Sequence, residues 1–186
     1  MFSKVILIVS VVEPQPVLER EIKLFYHADM EKPDNEDLGF STVDDYQNYL
    51  RKHSLLKEGA PSVIVTGQMG EPAELISELE KTGNTVYPVN DMQTLVKSNM
   101  IDSIRPSLII NMAHGRMGDY IVDYLNKQNI PLFSPLNVNR LVDEWENDKM
   151  GMNGGFMSQS IVTPEIDGAI RPYALFGHYK DEEGLQ

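Results

Sequence analysis

A chain of 186 residues, 41% hydrophobic and 24% charged, is long enough for one domain with a real core and has the proportions of a soluble globular protein, which excludes extensive disorder. Its 28 acidic against 16 basic side chains leave a formal charge of -12, disfavouring a non-specific grip on nucleic acid or anionic lipid, and its lack of cysteine excludes disulfides, thiolate zinc sites and cysteine nucleophiles. No stretch reaches the roughly 20 apolar residues that a membrane helix needs, and the cytoplasm is the expected compartment.

The first apolar run, KVILIVSVV at 4–12, is closed by Glu13 and Pro14 and reads as a buried strand rather than a signal sequence. The polar loop KPDNEDLGF (32–40) follows, and Ser41 or Thr42 then caps a helix in VDDYQNYLRKHSLL. Residues 1–60 are the less regular part of a single α/β domain, and 61–178 are its βα core. In that core SVIVTG (62–67) is a strand, and Pro72 opens the helix of EPAELISELEKTG, whose Leu75, Ile76 and Leu79 share a face and whose stop is Gly83. TVYPV (85–89) is the next strand, and Asp91 caps a helix with Met92, Leu95 and Val96 on one face.

SLIINMA (107–113) is a strand leading into a helix with Met117, Ile121, Tyr124 and Leu125 as its buried stripe. IPLFSPL (130–136) is another strand, followed by a helix in VNRLVDEWEND in which Val138, Leu141, Val142 and Trp145 recur at helical spacing, making Trp145 a core anchor. QSIVT (159–163) is the last strand expected, ended by Pro164. Continuously apolar strands alternating with amphipathic helices predict a parallel sheet with helices on both faces, of Rossmann-like or flavodoxin-like βα repeats.

In such sheets ligands sit beyond the carboxyl ends of the strands, where the loops TGQM (66–69) and AHGRMGD (113–119) fall. Gly115 and Gly118 would allow close backbone approach, Arg116 would meet an anion, and His114 would serve as a base or ligand. AHGRMGD is neither a full dinucleotide fingerprint nor a phosphate-cradling loop, so a structural turn stands beside its ligand reading, and TGQM reads first as a tight βα turn. His27, His53 and His178 lack metal-ligand spacing, and no G-x-S-x-G elbow is present. The glycine- and methionine-rich MGMNGGFM (150–157) reads as a flexible connection packed on the core, or as a soft apolar surface for a flat ligand. In IVTPEIDGAIRP (161–172) a turn accounts for Asp167 and Gly168, whereas Glu165, between Pro164 and Ile166, has no structural reason and suits proton handling.

The block from Trp145 and Glu146 in WENDKMG to SIVTPEIDGAIRP (160–172) resembles the signature of the cobaltochelatase and magnesium chelatase large subunits, the CobN and BchH/ChlH family. FSTVDDYQNYLRK, LISELEKTGNTVYPV and LNKQNIPLFSPL are similar to upstream parts of that family, so the resemblance spans roughly residues 30 to 180. It implies an internal segment of a tetrapyrrole-binding subunit that works with ATPase-type partner subunits and the remaining domains of the large subunit. Those partners hydrolyse ATP to drive a divalent metal, cobalt or magnesium, into a macrocycle, as in cobalamin-type biosynthesis. The expected catalytic groups are Glu165 and Asp167; the expected ligand contacts are His114, Gly115, Arg116 and Gly168; no residue is expected to hold a resident metal. The loop NMAHGRMGD departs from the family pattern, so His114 and Arg116 inherit no role from it. Two other readings are a structural or interaction module, with a haem-utilisation branch of the family included, and a free-standing nucleotide or small-anion binder using AHGRMGD.

Overall fold

The computed structural model describes residues 22–32, 37–67, 72–170 and 174–178, with the backbone alone for 137–139 and 174–178. The apolar run 4–12 and residues 68–69 of the TGQM loop lie outside the described residues.

In chain order the strands are β1 (Phe25–His27), β2 (Leu38–Phe40), β3 (Ser62–Thr66), β4 (Thr85–Val89), β5 (Leu108–Asn111), β6 (Leu132–Phe133), β7 (Leu136–Leu141) and β8 (Ala174–His178). The helices are α1 (Val43–Lys52), α2 (Ala73–Lys81), α3 (Met92–Lys97), α4 (Ile101–Ile104), α5 (Asp119–Gln128), α6 (Val142–Asn147), α7 (Gly154–Met157) and α8 (Thr163–Ile166), with a π turn at Ser158–Val162 joining the last two. Among the described residues six strands form one sheet in the order β2-β1-β4-β3-β5-β6, and β7 pairs with β8 in a second. β3, β4, β5 and β6 are mutually parallel, while β1 is antiparallel to both β4 and β2. The fold is therefore α/β with a mostly parallel mixed sheet. Taken in chain order, the four parallel strands lie as 2-1-3-4, the flavodoxin-like arrangement, and the winding reverses between β3 and β5.

The parallel strands are apolar on both faces because both are covered. Ile64, Tyr87 and Ile109 face one side, where Tyr46 and Leu50 of α1, Leu95 of α3, Ile101 of α4 and Ile121 and Leu125 of α5 pack. Val63, Val65, Val86 and Ile110 face the other, under Leu75, Ile76 and Leu79 of α2. Tyr124 packs partly buried against the first face beside Ile121 and Leu125, whereas Met117, expected on the same helical stripe, packs there from the loop before α5. Each fully buried Leu or Ile in this core contributes about 1.5–3 kcal/mol relative to exposure. Tyr46 is buried with its hydroxyl donating to the Val86 carbonyl at 3.0 Å, so its polar end is satisfied inside the core.

The caps follow the sequence. Thr42 accepts from the Asp45 N–H at 3.1 Å, and Asp91 accepts from the Thr94 N–H at 3.0 Å.

Four expectations are corrected. The end of the 32–40 loop is not irregular: Leu38–Phe40 pairs antiparallel with β1, itself absent from the strands read from the sequence, because two short edge segments give too little periodicity to see. The stretch 130–136 divides at Ser134 and Pro135 into β6 and the start of β7, and the following helix begins only at Val142. Trp145 is half-buried and lies outside both packed faces, so it is no core anchor. The fourth correction bears on the site: residues 159–163 are not a strand. They belong to a helical run from Gly154 to Ile166, and Pro164 stands in the first turn of α8 instead of ending a ladder. Asn153 starts the run by accepting from the Phe156 N–H at 2.9 Å. Val162 is exposed, which a strand buried on both faces would not allow.

Candidate functional site at the carboxyl end of the sheet

β3 and β5 deliver their carboxyl ends side by side at the point where the winding reverses. Gly67, with φ +67°, follows β3 and lies so close to the next loop that a Cβ there would stand 2.4 Å from Asn111 Oδ1 and 2.7 Å from the Ala113 nitrogen. Asn111 is buried at the end of β5, and its Oδ1 accepts from the Ala113 N–H at 3.2 Å. The glycine and the asparagine together set the start of loop 113–118.

That loop is clasped by the helical run 154–168. The Gly115 N–H donates to the Gln159 carbonyl at 3.0 Å, inside the π turn, whose widened hydrogen-bond pattern leaves carbonyls for outside donors. Asp167, its side chain 1% exposed, accepts from Arg116 Nε at 2.6 Å through one oxygen and from the Met117 N–H at 2.7 Å through the other. Arg116 also pairs with Asp119 in the first turn of α5. A guanidinium and a backbone N–H are the donors a small anion would seek, and an internal carboxylate already takes both.

His114 lies in the same loop. Its Nδ1 is 3.1 Å from Ser160 Oγ, its ring meets Phe156 edge-on at 5.8 Å, and its Nε2 is buried with no partner among the described residues. A buried ring nitrogen without a partner marks a group with unused bonding capacity; His53 Nε2 at the end of α1 is in the same state, but only His114 stands at the switch point. Glu165, two positions before Asp167, is exposed on α8. Gly168, with φ +72°, ends that helix: its N–H reaches the Glu165 carbonyl at 3.0 Å and the Ala169 N–H reaches Pro164 at 3.0 Å, the double bond of a Schellman stop. Asp167–Gly168 is thus a helix C-terminus and not a turn after a strand. The Ile170 N–H then donates to Leu132 at 2.8 Å, which docks the end of the block along β6.

The structure accordingly brings together His114, Gly115, Arg116, Asp167 and Gly168, with Glu165 on the outer side of the same helical run. The missing Cβ atoms of Gly115, Gly118 and Gly168 would each meet open space, so none is a backbone position closed off by packing. Sequence reasoning passed over Ser160 and Ser134. Ser160 touches His114, and Ser134 is buried just beyond β6 with no partner for its hydroxyl among the described residues. A strand reading of 159–163 hid Ser160, and no motif distinguishes Ser134 from its neighbours.

Elsewhere, His27 is buried against Glu80 and His53 ends α1. Among the described residues no three His, Asp or Glu side chains gather as a metal-binding group, and no helix is long and apolar enough to cross a membrane.

These features define a doubly wound α/β domain whose polar groups converge at the switch point of the sheet, on a loop locked to a helical C-terminal block. The family model CobN/Magnesium Chelatase matches residues 2–186, and the chain belongs to that family. Membership implies involvement in inserting a metal into a tetrapyrrole. No curated protein and no solved structure matches the chain.

Proposed function

We propose that the domain works as part of the large, tetrapyrrole-binding subunit of an ATP-dependent metal chelatase, and that its switch-point face contributes groups to the macrocycle or to the entering metal. Family membership supports the reaction class. The observation that supports this placement is His114 Nε2, buried and unpartnered in a loop that the Glu165–Asp167 block holds in place. Metal insertion requires that pyrrole protons leave the macrocycle, which is general-base chemistry. In this reading the exposed Glu165 carboxylate accepts such a proton and His114 is a second acceptor or a ligand to the macrocycle. Asp167, with both oxygens engaged, holds the loop. Cobalt or magnesium is substrate, and ATP is hydrolysed by partner subunits.

The test is the assembled chelatase carrying Glu165→Gln. Loss of about 10²-fold or more in insertion rate, with macrocycle affinity retained, is the expected result for a general base. An unchanged rate in a folded variant removes Glu165 from the chemistry.

A second reading, a module that joins the rest of the subunit with its chemistry elsewhere, draws on a different observation. Met157, Val162, Ile166 and Ile170 are exposed along the same C-terminal block. Val162→Asp with Ile166→Asp would then weaken assembly while leaving macrocycle titration of the isolated chain unaltered. In the haem-utilisation reading the macrocycle offered is haem, so haem and metal-free porphyrin belong in the same titration.

A further inference from the structure

At the antiparallel edge of the sheet, His27 is held through both of its ring nitrogens. Its Nδ1 lies 2.9 Å from the Ala28 carbonyl oxygen and its Nε2 lies 3.0 Å from Glu80 Oε1. A carbonyl and an ionised carboxylate only accept, and a neutral imidazole has a single N–H, so only the doubly protonated ring satisfies both contacts. The side chains of His27 and Glu80 are 5% and 11% exposed, so water does not substitute for a lost partner.

The position of this pair gives it leverage. The register joins β1 to β4 at Phe25 and Val89 alone, with the Asn90 N–H donating to Leu24 on the near side. Beyond Phe25 the edge is fastened by side chains. His27 reaches α2 through Glu80, and its ring lies 6.4 Å from Tyr46 and 5.4 Å from Tyr49 on α1. Tyr49 in turn bonds the Ala28 carbonyl at 2.8 Å and accepts from the Met30 N–H at 3.1 Å.

We propose that His27 and Glu80 form a pH-operated clasp that fastens the β1–β2 edge onto the parallel core while the imidazole carries its second proton, and slackens when that proton leaves. The groups facing the clasp are Glu80 from α2, Asp37 ahead of β2, Tyr46 and Tyr49 from α1, and Lys57, whose Nζ donates to the Glu80 backbone carbonyl. Asp29, Glu31, Lys52 and the His53 ring, 4.6 Å from the Tyr49 ring, lie around Tyr49, so the His53 resonances are followed separately in the titration. Burial alone lowers the His27 pKa, but the Glu80 hydrogen bond, the Ala28 carbonyl and the negative charges of Glu80 and Asp37 outweigh it and raise the value above 6.5. Burial keeps both tyrosines neutral past their ordinary value, so neither titrates in the same range. A raised folded value means the stabilisation is complete below the unfolded pKa of about 6.5 and is lost as pH rises through the folded one.

The experiment uses the whole chain with nitrogen-15-labelled histidine, titrated from about pH 6 to about pH 9 alongside amide hydrogen exchange. The expected result is a His27 ring still doubly protonated at about pH 6.5, where a reference histidine is half titrated. Exchange in Phe25–His27 and Leu38–Phe40, corrected for its intrinsic base dependence, becomes about threefold or more faster above the His27 transition while β3 and β5 are unchanged. In Glu80→Gln the His27 transition moves down and the edge loses its pH dependence. A neutral ring at about pH 6.5, the signature of a neutral His27 bonded to protonated Glu80, overturns the clasp; so does an edge that responds no differently from the core. If Glu80→Gln does not fold, the ring titration and exchange of the unaltered chain decide the matter alone.

Discussion

Asp167 and Glu165 are two residues apart yet in opposite surroundings, and the difference is geometric. At a helix C-terminus, positions two apart point in different directions. Asp167 turns inward to Arg116 and the Met117 N–H, whereas Glu165 stays outside. The stability effects of isosteric substitutions should therefore diverge. Asp167→Asn removes a charge-assisted bond and turns an amide N–H towards one of the two donors that the buried carboxylate serves, at a cost of about 2 kcal/mol, discounted because Arg116 is over a third exposed. Glu165→Gln should stay within about 0.5 kcal/mol. Urea unfolding of both variants checks the pair, and equal losses would mean that Asp167 is not the anchor of the loop. The sequence pattern around these residues pointed the other way, giving Asp167 to a turn and leaving Glu165 unexplained. Pairing with a residue 51 positions away leaves no local mark, so the partner of Asp167 was not legible.

Among the elements, helix ends were legible and the nature of the last segment was not. Thr42, Asp91 and Gly83 each sit where a local rule puts them, because a cap is made within three or four residues of itself. Asp91→Ala should cost about 1 kcal/mol. The Thr94 hydroxyl, followed by the Thr94 N–H, holds the Asp91 carboxyl below its ordinary value. A depressed folded pKa contributes stability above the unfolded value of about 3.9, lost as pH falls through the folded one. The gap between the unaltered chain and Asp91→Ala in thermal melts should accordingly close on acidification and remain constant at neutral pH. Gly168→Ala forces an alanine to φ +72° and should cost about 1 kcal/mol, with Gly168→Asn costing less, as measured by the same melts. The segment 159–163 misled because Ile161, Val162 and Thr163 favour strands in isolation. The Asn153 cap, Pro164 in a first helical turn and the Gly115–Gln159 bond together outweigh a preference worth at most about 1 kcal/mol per residue.

For the whole molecule, a formal charge of -12 sets a background of self-repulsion that opposes compaction. Added salt should raise the melting temperature by a few degrees up to about 0.5 M, where screening lengths fall below about 5 Å, and a fall over that range would count against repulsion as the controlling effect. Composition determined this, and the βα alternation determined the class of fold, because strands covered on both faces must be apolar throughout and the helices between them must be amphipathic. Family membership was likewise legible in the sequence, where the residues from Trp145 to Pro172 carry the resemblance and the family model matches 2–186. Only the tertiary structure decided that β4 and β5 lie on opposite sides of β3, since strand order depends on the side to which each crossover returns and not on the residues of the strands. It alone joined His114 to Ser160, Arg116 to Asp167 and His27 to Glu80, pairs separated by 46, 51 and 53 positions. Such pairs form because the folded core brings their elements within bonding distance, a cause that no short stretch of sequence contains.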